Sequence, residues 1–277
     1  MAVVINSNLA ALNARKNLAI SQDALATSIA RLSSGMRITR ASDDAAGLAI
    51  SEKLNAQIRG FAVASRNASN AISVVATAEG TLNEVTSLLT RMRELAVQSA
   101  SGDLGSSERG NLNTEYTALR DEIDRMVSAT KFSGTNLFST GGTVTMSFQI
   151  GINSGSGDSL AVGISDNHVS ALSGALSGST ISDSTSASAL LAGIDAAISQ
   201  VTTNRGSLGA AQNRLESIIR NLAVTIETTT AANSRIRDVD VAEETASYTK
   251  NQILVQAGVS VLAQANQQPQ IALSLLK

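Results

Sequence analysis

The 277-residue chain contains no cysteine, which excludes disulfides and thiolate metal sites at the outset. It has one proline and one histidine, and aromatic residues make up only 2% of it. Its 43% hydrophobic content therefore rests on Ala, Leu, Ile and Val, which suits long packed helices better than an aromatic-rich sandwich. No apolar run approaches the ~20 residues needed to cross a bilayer, so membrane insertion is not expected. The net charge of −2 makes no electrostatic case for nucleic acid or an anionic membrane surface. A cleaved secretory signal is not expected either. Arg15 and Lys16 follow the first apolar residues, and Asn and Ser interrupt them.

What is present is a seven-residue pattern. Leu54, Ile58, Phe61, Ala68, Ile72, Val75, Leu82, Val85, Leu89 and Met92 are separated by 4, 3, 7, 4, 3, 7, 3, 4 and 3. This spacing keeps apolar side chains on one stripe of a helix packed along a partner. The pattern predicts a helix over 43–100, with Ser42 as its N-cap and Asp43 and Asp44 at the positive end of the dipole. Two glycines in "SASGDLGSS" end it. A second seam follows in Leu112, Tyr116, Leu119, Ile123 and Met126 (helix 106–128), and the short connection predicts an antiparallel return. A third seam, in helix 190–235, runs through Ile194, Ile198, Val201, Leu208, Leu215, Ile219, Leu222 and Ile226. Three such stripes bury one another, so the expected fold is mainly α, an elongated antiparallel helical bundle.

The middle of the chain reads differently. "TVTMSFQIG" and "SLAVGIS" alternate apolar and polar residues around the turn residues "NSGSGD", which predicts a β-hairpin over 143–164. The stretch 165–188 is rich in Ser, Ala and Gly with weak periodicity, and is expected to be a reduced, solvent-facing loop.

Both ends are apolar. Leu18, Leu25, Ile29, Leu32 and Met36 make one stripe, while Leu254, Val255, Val259, Val261, Leu262, Ile271, Leu273, Leu275 and Leu276 leave few polar faces on a C-terminal helix. A helix apolar nearly all round is buried all round. One partner helix covers one stripe, so copies of the same molecule must cover the rest. The candidate assembly residues are Leu9, Leu12, Leu18, Leu25, Ile29, Leu32, Val259, Val261, Leu262, Ile271, Leu273, Leu275 and Leu276.

No catalytic constellation emerges, and no cofactor or metal site is expected. His168, without a cysteine or second histidine beside it, is expected to be a solvated loop residue. "GSGDSLAV" has the wrong Gly-to-Asp spacing for a calcium-binding repeat and is better read as the hairpin turn. "RMREL" and "RDEIDR" read as solvated, salt-bridged helix faces.

The segments "INSNLAALNARKNL", "RLSSGMRITRASDDAAGLAISEKL", "LTRMRELAVQSASG", "LRDEIDRMVSATKFSGTNLF", "LGAAQNRLESII" and "ILVQAGVSVLAQANQQPQIALSLLK" resemble bacterial flagellin, in family order and at both termini. The resemblance implies a structural subunit that polymerises with itself into the flagellar filament, secreted and extracellular. It further implies paired terminal coiled-coil helices (1–42 with 236–277) lining an inner tube, and a shell domain over 43–235. Export through the flagellar type III apparatus with an export chaperone follows, as do contacts with filament cap and hook-junction proteins. The outer domains that many flagellins insert between positions equivalent to Ile164 and Leu190 are expected to be absent. A patch recognised by the vertebrate Toll-like flagellin receptor carries over to Arg91, Leu95 and Glu115. Arg237 in "SRIRDVD" stands where the family commonly has an acidic residue. Two alternatives stay open: a hook–filament junction protein, which shares the terminal pattern, and a flagellin-derived surface adhesin recognising its target through 165–188.

Overall fold

A computed structural model describes residues 7–274, with the side chains of 156 and 268–274 excepted. In chain order the elements are α1 (Leu9–Ser34), α2 (Ala45–Ala100), α3 (Ser106–Ala129), β1 (Lys131–Phe132), β2 (Thr135–Asn136), β3 (Val144–Gln149), β4 (Ser159–Ile164), α4 (Val169–Leu172), α5 (Ser184–Arg237) and α6 (Val241–Ser274). A single 3₁₀ turn, Ser156–Asp158, precedes β4. The fold is mainly α with two small β-hairpins, in line with the seven-residue pattern. By packing, the chain divides into Arg59–Ile226 and a second unit made of Met1–Ile58 with Glu227–Lys277.

In the unit Arg59–Ile226 the buried stripe of α2 is Ala64, Ala68, Ala71, Val75, Ala78, Leu82, Val85, Leu89, Met92, Ala96 and Ser99, alternating by four and three residues. Alanines fill the positions where the large apolar residues skip a turn. On α5, Ala187, Leu190, Ile194, Ala197, Val201, Asn204, Leu208, Leu215 and Leu222 form the matching stripe. Tyr116, Ile123 and Val127 of α3 complete the core. Ile72, Leu112, Leu119, Ile198 and Ile219 flank it, half-buried. Cross-links fix the directions. Arg91 Nη2 lies 2.8 Å from Glu115 Oε1, and the Thr81 and Thr130 hydroxyls meet at 3.1 Å, so α3 returns antiparallel to α2. Arg93 Nε lies 2.7 Å from Asp195 Oδ1 and Arg205 Nη2 3.7 Å from Glu79 Oε1, so α5 does the same.

The predicted hairpin is β3–β4, paired from Val144↔Ile164 to Gln149↔Ser159. Its inward side chains include Leu160, Val162 and Ile164. The hairpin lies along α2. The Asn67 side-chain amide donates to Gln149 O at 2.9 Å, and Ile152 packs so closely over Gly60 that a Cβ there would sit 2.7 Å from it. The smaller β1–β2 hairpin, which apolar alternation does not signal, turns through Ser133 (φ 49°) and Gly134 (φ 83°). Both are left-handed, which suits a two-residue hairpin turn.

Three expectations are corrected. Ser42 does not cap α2: Asp44 accepts from Gly47 N at 2.8 Å, while Asp43 closes the preceding turn by accepting from the Thr39 and Arg40 amides, each at 3.0 Å. His168 is not solvated but only 8% exposed. Nor does 165–188 simply face solvent, because Asn167, Val169, Leu172, Leu176 and Ile181 within it are buried. The reason is the apolar end of the bundle, which needs a cover. Ser99 Oγ donates to Ile181 O, Ile181 N donates to Asn113 Oδ1 at 2.8 Å, and the Tyr116 hydroxyl meets Ser179 Oγ at 3.1 Å. Serines and threonines such as Ser170, Ser177, Thr180 and Ser182 remain exposed between these anchors. Asp183 then starts α5, accepting from Thr185 N at 3.1 Å and Ser186 N at 3.2 Å.

In the other unit α1 and α6 pair antiparallel. Asn8 caps α1 by accepting from Ala11 N at 3.0 Å, and its amide donates across to Ala265 O at 2.7 Å. At the far end Arg31 Nη1 is 3.5 Å from Glu244 Oε2. The less exposed positions are Ala11, Ala14, Leu18, Ser21, Leu25, Ser28 and Leu32 on α1, and Glu244, Tyr248, Asn251, Val255, Gly258, Leu262 and Ala265 on α6. Small residues bring the backbones close: a Cβ on Gly258 would lie 3.1 Å from Leu18 Cδ1. An isolated bridge between Met36 and Asp238 ties the chain beyond α1 to the end of α5. Arg237 reinforces it within the unit, its Nε donating to Met36 Sδ at 3.1 Å and its Nη1 pairing with Glu52 Oε1 at 2.7 Å.

Candidate assembly and recognition surfaces

The α1–α6 seam leaves most large apolar side chains of these helices outside it. Leu9 (68%), Leu12 (67%), Val259 (52%) and Val261 (55%) are well exposed, as is Ile29. At 100° per residue, Leu9, Leu12 and Ile20 fall on the face of α1 opposite the seam. On α6, Ile253 lies opposite the seam, Leu254 and Val261 on one flank and Val259 on the other, all of them exposed. Leu18, Leu25, Leu32 and Leu262 are half-buried within the seam. The expected assembly residues thus separate into two groups, one half-buried in the seam and one exposed outside it. The side chains of Ile271 and Leu273, and residues Leu275 and Leu276, lie outside the described set.

Ile20, Ile253 and Leu254 extend the outward group. Their apolar character was visible in sequence, but on helices apolar nearly all round only the seam tells outward from inward. Exposed apolar side chains scattered singly are ordinary, whereas here several line the same pair of helices. Among the described residues no helix is long and apolar enough to cross a membrane.

The second set, Arg91, Leu95 and Glu115, lies in the unit Arg59–Ile226. Arg91 bridges Glu94 (2.9 Å) on its own helix and Glu115 (2.8 Å) on α3, with both side chains of the cross-helix pair about half exposed. The hydrogen bonds it donates to Glu94 and then to Glu115 hold the Arg91 guanidinium more firmly protonated than usual. Leu95 is one turn on but 1% exposed, so its side chain belongs to the core and not to the surface. "RDEIDR" behaves as expected of a solvated face, with Arg125 Nη2 2.6 Å from Glu122 Oε1 and Arg120 Nη2 2.9 Å from Asp121 Oδ1. Among the described residues no group of histidines and acids could hold a metal ion.

Comparison with known proteins places these surfaces in context. Residues 5–143 match the bacterial flagellin N-terminal helical region, and residues 191–276 the bacterial flagellin C-terminal helical region. The chain is 46% identical over 276 residues to a flagellin of Halalkalibacterium halodurans, covering 99% of this chain and 100% of that protein. It is 41% identical to a flagellin of Bacillus subtilis (99% of each chain) and 42% identical to the flagellar filament 33 kDa core protein of Treponema phagedenis (99% of this chain, 100% of that one). Among solved structures, one described as a flagellar hook-associated protein from Vibrio parahaemolyticus shares the fold, with a TM-score of 0.62 and 18% identity over 71% of this chain and 100% of its own. With both helical regions matched and relatives above 40% identity aligned along nearly their whole length, the chain belongs to the bacterial flagellin family, whose members are structural filament subunits and not enzymes.

Proposed function

We propose that this chain builds its filament through the terminal helix pair, with 1–42 and 236–277 forming an inner coiled-coil layer and 43–235 the surrounding shell. The observation that carries this reading is the outward group on a helix pair whose own seam is already filled: Leu9, Leu12, Ile29, Val259 and Val261. Ile271, Leu273, Leu275 and Leu276 belong to the same proposed surface. A contact that joins different patches of successive copies grows into a helical filament when its rotation does not close into a ring. The filament lies outside the cell, its subunits exported unfolded through the type III apparatus with a chaperone and ordered at either end by the cap and hook-junction proteins. Electron microscopy of the purified protein after addition of short filament seeds tests the core of this reading. Long regular filaments are the expected result, and a protein that stays monomeric or forms only amorphous aggregate would count against it.

A second reading rests on the exposed Arg91–Glu115 pair. We propose that it is the charged patch read by the vertebrate Toll-like flagellin receptor, with Leu95 beneath it fixing the helix. The double change Arg91→Ala with Glu115→Ala should lower signalling by receptor-bearing cells roughly tenfold or more, the loss expected of one hot-spot contact. Its melting temperature should barely move, because exposed ion pairs contribute little to stability. Undiminished signalling from the folded double variant would refute the assignment.

A further inference from the structure

Ser128, His168 and Asp166 form a hydrogen-bonded relay within the unit Arg59–Ile226. Ser128 lies in the last turn of α3, exposed, with its Oγ 3.1 Å from His168 Nε2. His168 Nδ1 is 2.6 Å from Asp166 Oδ1, and the two side chains are only 10% and 7% exposed. Asp166 is itself fixed, since Oδ1 also accepts from His168 N at 2.9 Å and Oδ2 from Gly141 N at 2.6 Å. Asp124, one turn before Ser128 on α3, accepts from Val169 N at 2.8 Å and anchors the segment carrying the imidazole. Burial pushes the Asp166 carboxyl up, but the His168 and Gly141 amides and the imidazole outweigh it and hold the group below the usual carboxylate range. A charged Asp166 accepts a hydrogen bond from His168 Nδ1–H. Nε2 then presents its lone pair to the Ser128 hydroxyl, the arrangement that turns a serine into a nucleophile.

We propose that Ser128 is an activated acyl acceptor, a modification site at which this chain takes a small acyl group from an activated ester. Ser128 and His168 open on a cavity of about 610 Å³ that Lys131, Thr135 and Asn136 also line. In the step, Ser128 Oγ attacks the ester carbonyl and its proton passes to His168 Nε2. The carbon–oxygen bond to the leaving alcohol breaks, and the alcohol departs with that proton. One ester is consumed and one formed, with no change of oxidation state. The Lys131 ammonium is the group in the cavity able to offset the charge that develops on the carbonyl oxygen. Helix backbone donors near Ser128 are already spent, as Thr130 N donating to Met126 O at 3.1 Å illustrates. In this proposal the acyl group stays on Ser128. The reaction is stoichiometric, which fits a structural protein.

The test is incubation of the monomer with 4-nitrophenyl acetate, following nitrophenolate release and locating the acetyl group by peptide mass mapping. The expected result is about one acetyl group on Ser128 per chain, gained at least tenfold faster than on the exposed Ser170 and Ser177. His168→Gln should slow acetylation of Ser128 roughly 100-fold, the low end of what a positioned general base contributes. Lys131→Ala, which alters only an exposed side chain, should slow it roughly tenfold and keeps the test decisive if the buried histidine variant folds poorly. Acetylation of Ser128 no faster than that of the other exposed serines, an unchanged rate in a folded His168→Gln, or an unchanged rate in Lys131→Ala would overturn the proposal.

Discussion

Removing Ser260–Lys277 is expected to leave a folded, soluble monomer that seeds cannot draw into filaments. The core of Arg59–Ile226 contains no residue from the removed segment, so its cooperative melting should persist. The α1–α6 seam loses Leu262, Ala265 and the carbonyl that Asn8 bonds, leaving the start of α1 with little to pack on. The monomer gains little from Val261, which is 55% exposed in it. Between subunits the same kind of side chain contributes roughly 1.5–3 kcal/mol when fully buried, and each 1.4 kcal/mol is about a tenfold change in association. Losing several at once should abolish seeded growth at any practical concentration. Sedimentation and circular dichroism test the folded half, and electron microscopy with seeds the other. Normal filaments from the truncated chain would remove the tail from the assembly surface.

Leu89→Ala should act in the opposite sense, on the monomer first. Leu89 is 0% exposed at the centre of the α2 stripe, between Val85 and Met92. Truncating a core leucine costs roughly 2–5 kcal/mol, because the neighbouring helices cannot fully collapse into the space. For a unit of this size that is a fall in melting temperature of roughly 4–20 °C. Thr90→Ala next to it removes only an exposed hydroxyl bonded back to Thr86 O at 2.9 Å, and should leave the melt almost unchanged. Differential scanning calorimetry of the two variants side by side checks this. Equal melts would mean that the stripe does not hold the bundle together.

The helices were legible in the sequence wherever Leu, Ile, Val or Met marked the stripe, and lost where it was built from small or polar residues. Ala64, Ala71, Ala78, Ala96 and Ser99 occupy the same register as Val75 and Leu82, yet alanine is as common on exposed helix faces as in cores. Asn204 is harder still. It sits in the α5 stripe because its amide donates to Asn167 Oδ1 at 2.8 Å, and that partner is 37 positions away. The 165–188 cover was misread for a related reason. Leu172 is buried from the single turn of α4 and Leu176 and Ile181 from irregular backbone, so no period announces them, and His168 is inside because Asp166 and Ser128 satisfy it. Of the surfaces, the apolar content of α1 and α6 was visible, but the split between seam and outward groups depended on where Gly258, Ser21 and Ser28 let the helices touch.

Asn8 and Ala265 bond across 257 positions of chain, and this separation bears on the order of folding. Contacts between α1 and α6 have close to the highest contact order the chain permits, and bringing such distant ends together carries a loop-closure cost in entropy. The three helices of Arg59–Ile226 meet through nearer neighbours, with Arg91 and Glu115 only 24 positions apart. They are therefore set to form first, after which the loose chain left to close is confined to the two terminal segments. On the export route proposed above, a chain leaving end-first would not complete the α1–α6 pair until both terminal segments were out. The helices that carry the outward apolar group thus take their paired form last, and until then no half-made subunit presents a finished surface to another.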